Sequence, residues 1–324
     1  MSSADDRSAW GSAPWTPTTS PETQTTVGWQ KHVAYIPEST NSLQTLTAWV
    51  PATSDRSPPD DASLPRRPGR WIIFIHGGAW RDPAVTAAAF DRAAAALLLR
   101  NQDSTSTSKG SRIAGLASLN YRLSPYPGRP SDDPAYKAQH PDHIGDVLSG
   151  LAFLQRLGAA TGDYVLAGHS CGATLAFQAV MDPARWGLGI AVRKPALVVG
   201  LNGLYDLAGF VKRPPGGYEG LRDAYEEFTR GAFGGDEEVW KAVCPATAEG
   251  WVGEWKGSSR GVVLVQSGED TLVPREQLEG MKACLESGGV KVREMEAGGG
   301  HDEMWERGEG RMTEILWGVV LGLE

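Results

Sequence analysis

Ser170 lies between two glycines in Gly168-His169-Ser170-Cys171-Gly172, a setting in which a hydroxyl can act as a nucleophile. The apolar run Tyr164-Val165-Leu166-Ala167 leads in as a short buried strand, and Ala173 to Met181 leads out as helix. A serine on that strand-to-helix corner is held in a strained turn with its Oγ exposed. Upstream, the continuous apolar run Trp71-Ile72-Ile73-Phe74-Ile75 ends in His76-Gly77-Gly78-Ala79-Trp80. Glycines just past a buried strand let backbone N–H groups face a site with no side chain in the way. With the N–H of Cys171, such donors are expected to form an oxyanion hole, and His76 to fix the loop by hydrogen bonding.

Chain order after such a serine predicts an acid and then a histidine. Val262-Val263-Leu264-Val265 reads as a buried strand running into Gly268-Glu269-Asp270. The last strand, Val290 to Met295, opens into Gly298-Gly299-Gly300-His301. The expected constellation is therefore Ser170, Asp270 and His301. His301 takes the Ser170 proton and returns it to the leaving group, while Asp270 orients the imidazole and stabilises its charged form. Two other acids compete. Glu269 neighbours Asp270, but adjacent side chains diverge and only one can reach His301. Asp206 follows the strand Ala196 to Leu201 and reads instead as a helix-start residue or a wall of the substrate pocket.

These residues need a scaffold. Alternating strands and helices predict an α/β fold, a mainly parallel sheet covered by helices on both faces. Val33 to Tyr35 and Leu43 to Val50 read as an opening antiparallel hairpin, Pro83 to Arg100 and His143 to Leu157 as helices, and Ile113 to Leu119 as a strand. Residues 1–27, rich in Ser, Thr and Pro, are expected to be disordered. Residues 28–324 then form a single domain. The loop at 51–69 and the polar run Asn101 to Lys109 read as surface excursions. An aromatic-rich stretch, about 203–256, breaks the rhythm and reads as a cap over the site, with most of its aromatics in the cap's own core.

Composition narrows the function. The net charge is -8 with both signs interspersed, which argues against nucleic acid as partner. Three cysteines point to a reducing, cytoplasmic setting. No run of eighteen apolar residues predicts a membrane span, and the N-terminus has no signal-peptide apolar core. His169 is expected to pack beside the serine. His32, His140 and His143 have no partner at metal-ligand spacing, so neither a metal nor another cofactor is expected.

His76 to Trp80, the segment Asn120-Tyr121-Arg122-Leu123-Ser124-Pro125 and the Ser170, Asp270, His301 order resemble the α/β-hydrolase superfamily, and within it the hormone-sensitive-lipase-like esterases. The longer strings His76 to Pro83, Gly168 to Leu175 and Gly300-His301-Asp302-Glu303-Met304 are similar to the fungal kynurenine formamidases over roughly residues 28–322. The resemblance implies an α/β-hydrolase fold and hydrolysis of N-formyl-L-kynurenine to L-kynurenine and formate, a step of tryptophan catabolism that feeds NAD synthesis. It implies an oxyanion held by the N–H groups of Gly78, Ala79 and Cys171, with Gly77 shaping the turn. Trp80 and cap aromatics are expected to line the wide, flat amine side, and Tyr35, Arg81, Asp82 and Asp206 are candidates for the amino-acid head. Related enzymes are often dimers, so a homodimer is compatible. A carboxylesterase of small or aromatic esters would need the same catalytic residues.

Overall fold

Nine strands form one sheet in the computed structural model, which describes residues 3–61, 64, 66–106, 112–255, 260–306 and 311–322. β1 (Thr16–Thr19), β2 (Thr26–Ala34) and β3 (Thr45–Pro51) make an antiparallel edge. β4 is Arg70–Ile75, β5 Ile113–Leu119, β6 Val165–His169, β7 Leu197–Leu201, β8 Gly261–Ser267 and β9 Val292–Ala297. β3 lies antiparallel on β5, and from there the order β5-β4-β6-β7-β8-β9 is parallel throughout. The expected mainly parallel sheet is therefore the one observed.

The period of two along each strand feeds two cores. From β4 and β6, Ile73, Ile75 and Leu166 point into one core with α3 (Asp142–Arg156) and α4 (Cys171–Gln178). Ile72, Phe74, Val165 and Ala167 point into the other, with α2 (Asp91–Ser106) and α10 (Arg311–Leu321). Burial on both faces explains why these strands read as unbroken apolar runs rather than as alternating ones.

The N-terminus departs from expectation. Residues 3–27 are ordered: α1 (Ser3–Ser12) packs on the body, and β1 adds an edge strand. The cause is two tryptophans that a Ser/Thr/Pro composition hides. Trp10 is fully buried, edge-on to Trp15 at 5.5 Å and tilted on Phe153 at 6.5 Å. Lys31 is buried beneath them and holds the segment. Its Nζ donates to the carbonyls of Trp10 and Asp61 at 3.0 and 2.9 Å and lies 5.1 and 4.9 Å from the two indole centroids. Lys31→Met is expected to remove both bonds and to cost about 1–3 kcal/mol. Urea unfolding checks this, and an unchanged midpoint would contradict it.

The polar run at 101–109 also differs. Asn101 to Ser106 continue α2, and the remainder lies outside the described residues. Beyond β7 the chain leaves the sheet as α5 (Leu207–Lys212), α6 (Arg222–Phe233) and α7 (Glu237–Val243), then a short turn through Trp255. Phe210 stacks on Tyr225 at 3.7 Å, while Trp240, Trp251 and Trp255 are buried. Helix α8 (Arg275–Ser287) follows β8, and α9 (Glu303–Glu306) follows β9.

Candidate active site

Ser170 stands between the end of β6 and the start of α4 with φ 55° and ψ -123°. That φ is unfavourable for a residue with a Cβ, and the neighbours hold it there. Its N–H donates to Leu201 O at 2.9 Å, and its carbonyl accepts from Ala173 N–H at 3.0 Å. Gly172 explains why the corner must carry glycine. A Cβ there would lie 2.3 Å from Ile75 O and 2.4 Å from His76 O, so α4 starts pressed against the end of β4.

His301 follows β9 and is buried. Its Nδ1 is 2.8 Å from Asp270 Oδ2. The Asp270 carboxylate is fully engaged. Oδ1 accepts the N–H groups of Leu272 and Val273 at 2.9 and 2.8 Å, and Oδ2 also accepts from Gln266 Nε2 at 3.2 Å. The His301 carbonyl is fixed from two sides, by Asn202 Nδ2 at 3.2 Å and by His169 Nε2 at 3.1 Å. Ser170 and His301 line one cavity of 260 Å3, together with Gly78 and Ala79. Ser170 Oγ has no hydrogen-bond partner among the described residues, and such contacts often tighten only around substrate.

The glycine loop runs through a left-handed stretch of backbone. Gly78, Ala79 and Trp80 have φ of 94°, 50° and 58°. The Trp80 N–H donates to Cys171 Sγ at 3.3 Å and is thereby turned away from the cavity. Cys171 opens α4, so its own N–H is a first-turn donor with no partner inside the helix. Tyr121 clamps the loop from below. Its hydroxyl lies 3.1 Å from both His76 O and Gly77 O, and its ring stacks on His76 at 4.4 Å. His76 Nδ1 is 2.9 Å from Gly77 O, so His76 does contact the loop as expected.

The cap and the loop after β8 finish the walls. Tyr225 and Phe228 face the cavity with Leu204, Leu221, Leu272 and Val273. The hydroxyls of Tyr218 and Tyr225 tie the cap to the Asp270 loop through Asp270 O (2.6 Å) and Leu272 O (2.8 Å). The charged wall residues are Arg81, Asp82 and Asp302.

Three sequence-derived pocket candidates lie elsewhere. Tyr35 is buried and donates to Asn120 O at 3.1 Å, as part of the core beside α3. Asp206 caps α5 through Gly209 N–H at 2.8 Å. Trp80 is fully buried behind the loop, against Phe233 at 5.0 Å and Phe228 at 6.0 Å. In each case an aromatic or acidic residue that could face a ligand serves packing or capping instead. Conversely, Asn202 and Gln266 support the site without any motif of their own, and Tyr121 does so from within the Asn120 to Pro125 segment, which gave it no stated role. A larger hollow of 490 Å3, with Arg66, Arg67 and Tyr164 in its wall, opens at the opposite ends of the strands and does not touch Ser170.

His169, His301 and Asp302 each bring one donor atom within 4.8 Å of the others, a spacing that could hold a metal ion. Both imidazoles already face partners, Asp270 for His301 and a carbonyl for His169. Burial pushes His76 down to about 4, and His169 well below the ordinary imidazole value. Burial, reinforced by His140 and Arg122, takes His143 down to about 3. In the unfolded chain each imidazole takes up a proton near pH 6.5, at about its free value. Between there and about pH 4 the unfolded chain binds more protons, so stability falls as pH falls through that window. Urea midpoints at pH 7 and pH 5 check this. A drop that is smaller in His143→Gln is expected, and equal midpoints would contradict it.

Residues 72–312 match the model of the alpha/beta hydrolase family. The chain is 37% identical over 299 residues to a kynurenine formamidase-like hydrolase of Fusarium equiseti, covering 86% of this chain and 92% of that one. It is 34% identical over 258 residues to a kynurenine formamidase of Aspergillus versicolor, covering 75% and 86%. Among solved structures, esterase B from Lactobacillus Rhamnosis superposes with a TM-score of 0.62 at 16% identity, covering 99% of this chain and 90% of that one.

Proposed function

This chain belongs to the alpha/beta hydrolase family, among its kynurenine formamidase-like members, and we propose that it hydrolyses N-formyl-L-kynurenine to L-kynurenine and formate. The observation that carries the mechanism is the 2.8 Å contact from His301 to Asp270 beside Ser170, in one small aromatic-walled cavity.

Ser170 Oγ attacks the formyl carbon as His301 Nε2 accepts its proton. Asp270 holds Nδ1–H and balances the imidazolium charge. In this reading the developing oxyanion takes the N–H groups of Gly78, Ala79 and Cys171, a role supported by the place of Gly78 and Ala79 in the cavity wall and of Cys171 at the start of α4. His301 then protonates the aniline nitrogen, the C–N bond breaks and kynurenine leaves. Water, deprotonated by His301, attacks the formyl ester of Ser170 and releases formate. A formyl group needs little room, so the walls of Tyr225 and Phe228 are left for the aromatic amine.

The reading extends to a cytoplasmic setting, supported by the free thiols of Cys171, Cys244 and Cys284, and to a small-molecule substrate, with a homodimer compatible. Among the described residues no helix is long and apolar enough to cross a membrane.

The likeness to esterase B shows the fold alone, so substrate choice rests on the formamidase-like relatives. A panel of N-formyl-L-kynurenine, its N-acetyl analogue and phenyl acetate tests the reading. The expected order of kcat/KM has the formamide first. Phenyl acetate far ahead of it would instead support the esterase reading.

A further inference from the structure

An aryl formamide alone would need only apolar walls and the oxyanion donors, yet this cavity also carries charges of both signs. Arg81 follows the oxyanion loop directly. Its side chain is 13% exposed, and its guanidinium is held over the Tyr126 ring at 4.6 Å and near Phe228 at 5.9 Å. Nη1 bonds Glu227 Oε1 at 2.5 Å, and the other N–H groups have no partner among the described residues. Glu227, half exposed, takes only Nη1 and so fixes the fork while leaving its other N–H groups for a ligand. A fixed guanidinium with a free edge is suited to a carboxylate.

Asp302 is the next residue after His301. One oxygen, Oδ1, accepts Trp305 Nε1–H at 3.1 Å, and no cation pairs with the carboxylate among the described residues. A carboxylate oxygen lies within 4.8 Å of one ring nitrogen each of His169 and His301, and Asp302 lines the cavity with Ser170 and His301. Asp82 is the alternative acid, but its Oδ1 caps Ala84 N–H at 2.9 Å, and as Arg81's chain neighbour it diverges from it.

We propose that Arg81 and Asp302 select substrates whose leaving amine carries a zwitterionic α-amino acid head, Arg81 taking the carboxylate and Asp302 the ammonium. The assignment rests on the formamidase reading and adds to it the two residues that recognise the head. A ligand lacking the head forgoes both new contacts while still covering the two charged groups of the wall, which penalises binding.

The test compares N-formyl-L-kynurenine with N-formyl-2-aminoacetophenone, which keeps the formamide, ring and ketone but has no head. The wild type is expected to favour the first by about 100-fold in kcat/KM, from two charge-assisted contacts. Arg81→Gln and Asp302→Asn are each expected to shrink that ratio about tenfold, chiefly through KM. Arg81→Lys should recover part of it. A wild-type ratio near one, or variants losing the same factor on both formamides, would overturn the assignment and leave the formamidase reading intact. If neither formamide is cleaved while phenyl acetate is, both fail together. Circular dichroism melts on each variant separate a lost contact from a lost fold.

Discussion

Ser170→Ala is expected to lower kcat for N-formyl-L-kynurenine by about five to six powers of ten, with the melting temperature nearly unchanged. The size follows from removing the nucleophile. What remains is the cavity and its oxyanion donors acting on water. The unchanged fold follows from where Ser170 is held. Its backbone makes the contacts, to Leu201 O and from Ala173 N–H, and its Oγ makes none among the described residues. Alanine adopts the strained φ of 55° at about the same cost as serine. Single-turnover kinetics and a thermal melt on the same preparation check both halves. Near-normal turnover would remove Ser170 from the mechanism.

Asp270→Asn is expected to cost about ten-thousand-fold in kcat. The hydrogen bonds around the carboxylate say why. Oδ1 accepts two backbone N–H groups, from Leu272 and Val273, so the asparagine carbonyl must take that position. Its NH2 then faces His301 Nδ1 and Gln266 Nε2. A donor opposite Nδ1 selects the tautomer with the proton on Nε2, and that nitrogen can no longer take the Ser170 proton. Asp206→Asn is the control: this side chain only caps α5, so little loss is expected. The reverse pattern would move the acid to Asp206.

Much of this arrangement is legible in the sequence because short, local signals carry it. The apolar runs at β4, β6 and β8 are buried on both faces, and each ends at a residue that lines or supports the site. The glycines flanking Ser170 are needed where backbones touch, as Gly172 against Ile75 and His76 makes plain. What local signals do not carry is the support. Asn202 reaches the His301 carbonyl across 99 residues of chain, and Tyr121 grips the loop from a different strand end. Such contacts exist only once the sheet is assembled. The same limit misdirects Trp80 and Tyr35. Their side chains could line a pocket, and only packing shows that they turn into the core. At the N-terminus, average composition suggests disorder, while Trp10 and Trp15 supply enough buried area to order the segment over Lys31.

The most direct measurement mixes wild-type protein with N-formyl-L-kynurenine and follows kynurenine absorbance and formate together. The account predicts sustained turnover, with one formate for each kynurenine. No kynurenine from a preparation that still cleaves phenyl acetate would contradict the formamidase assignment and leave an esterase.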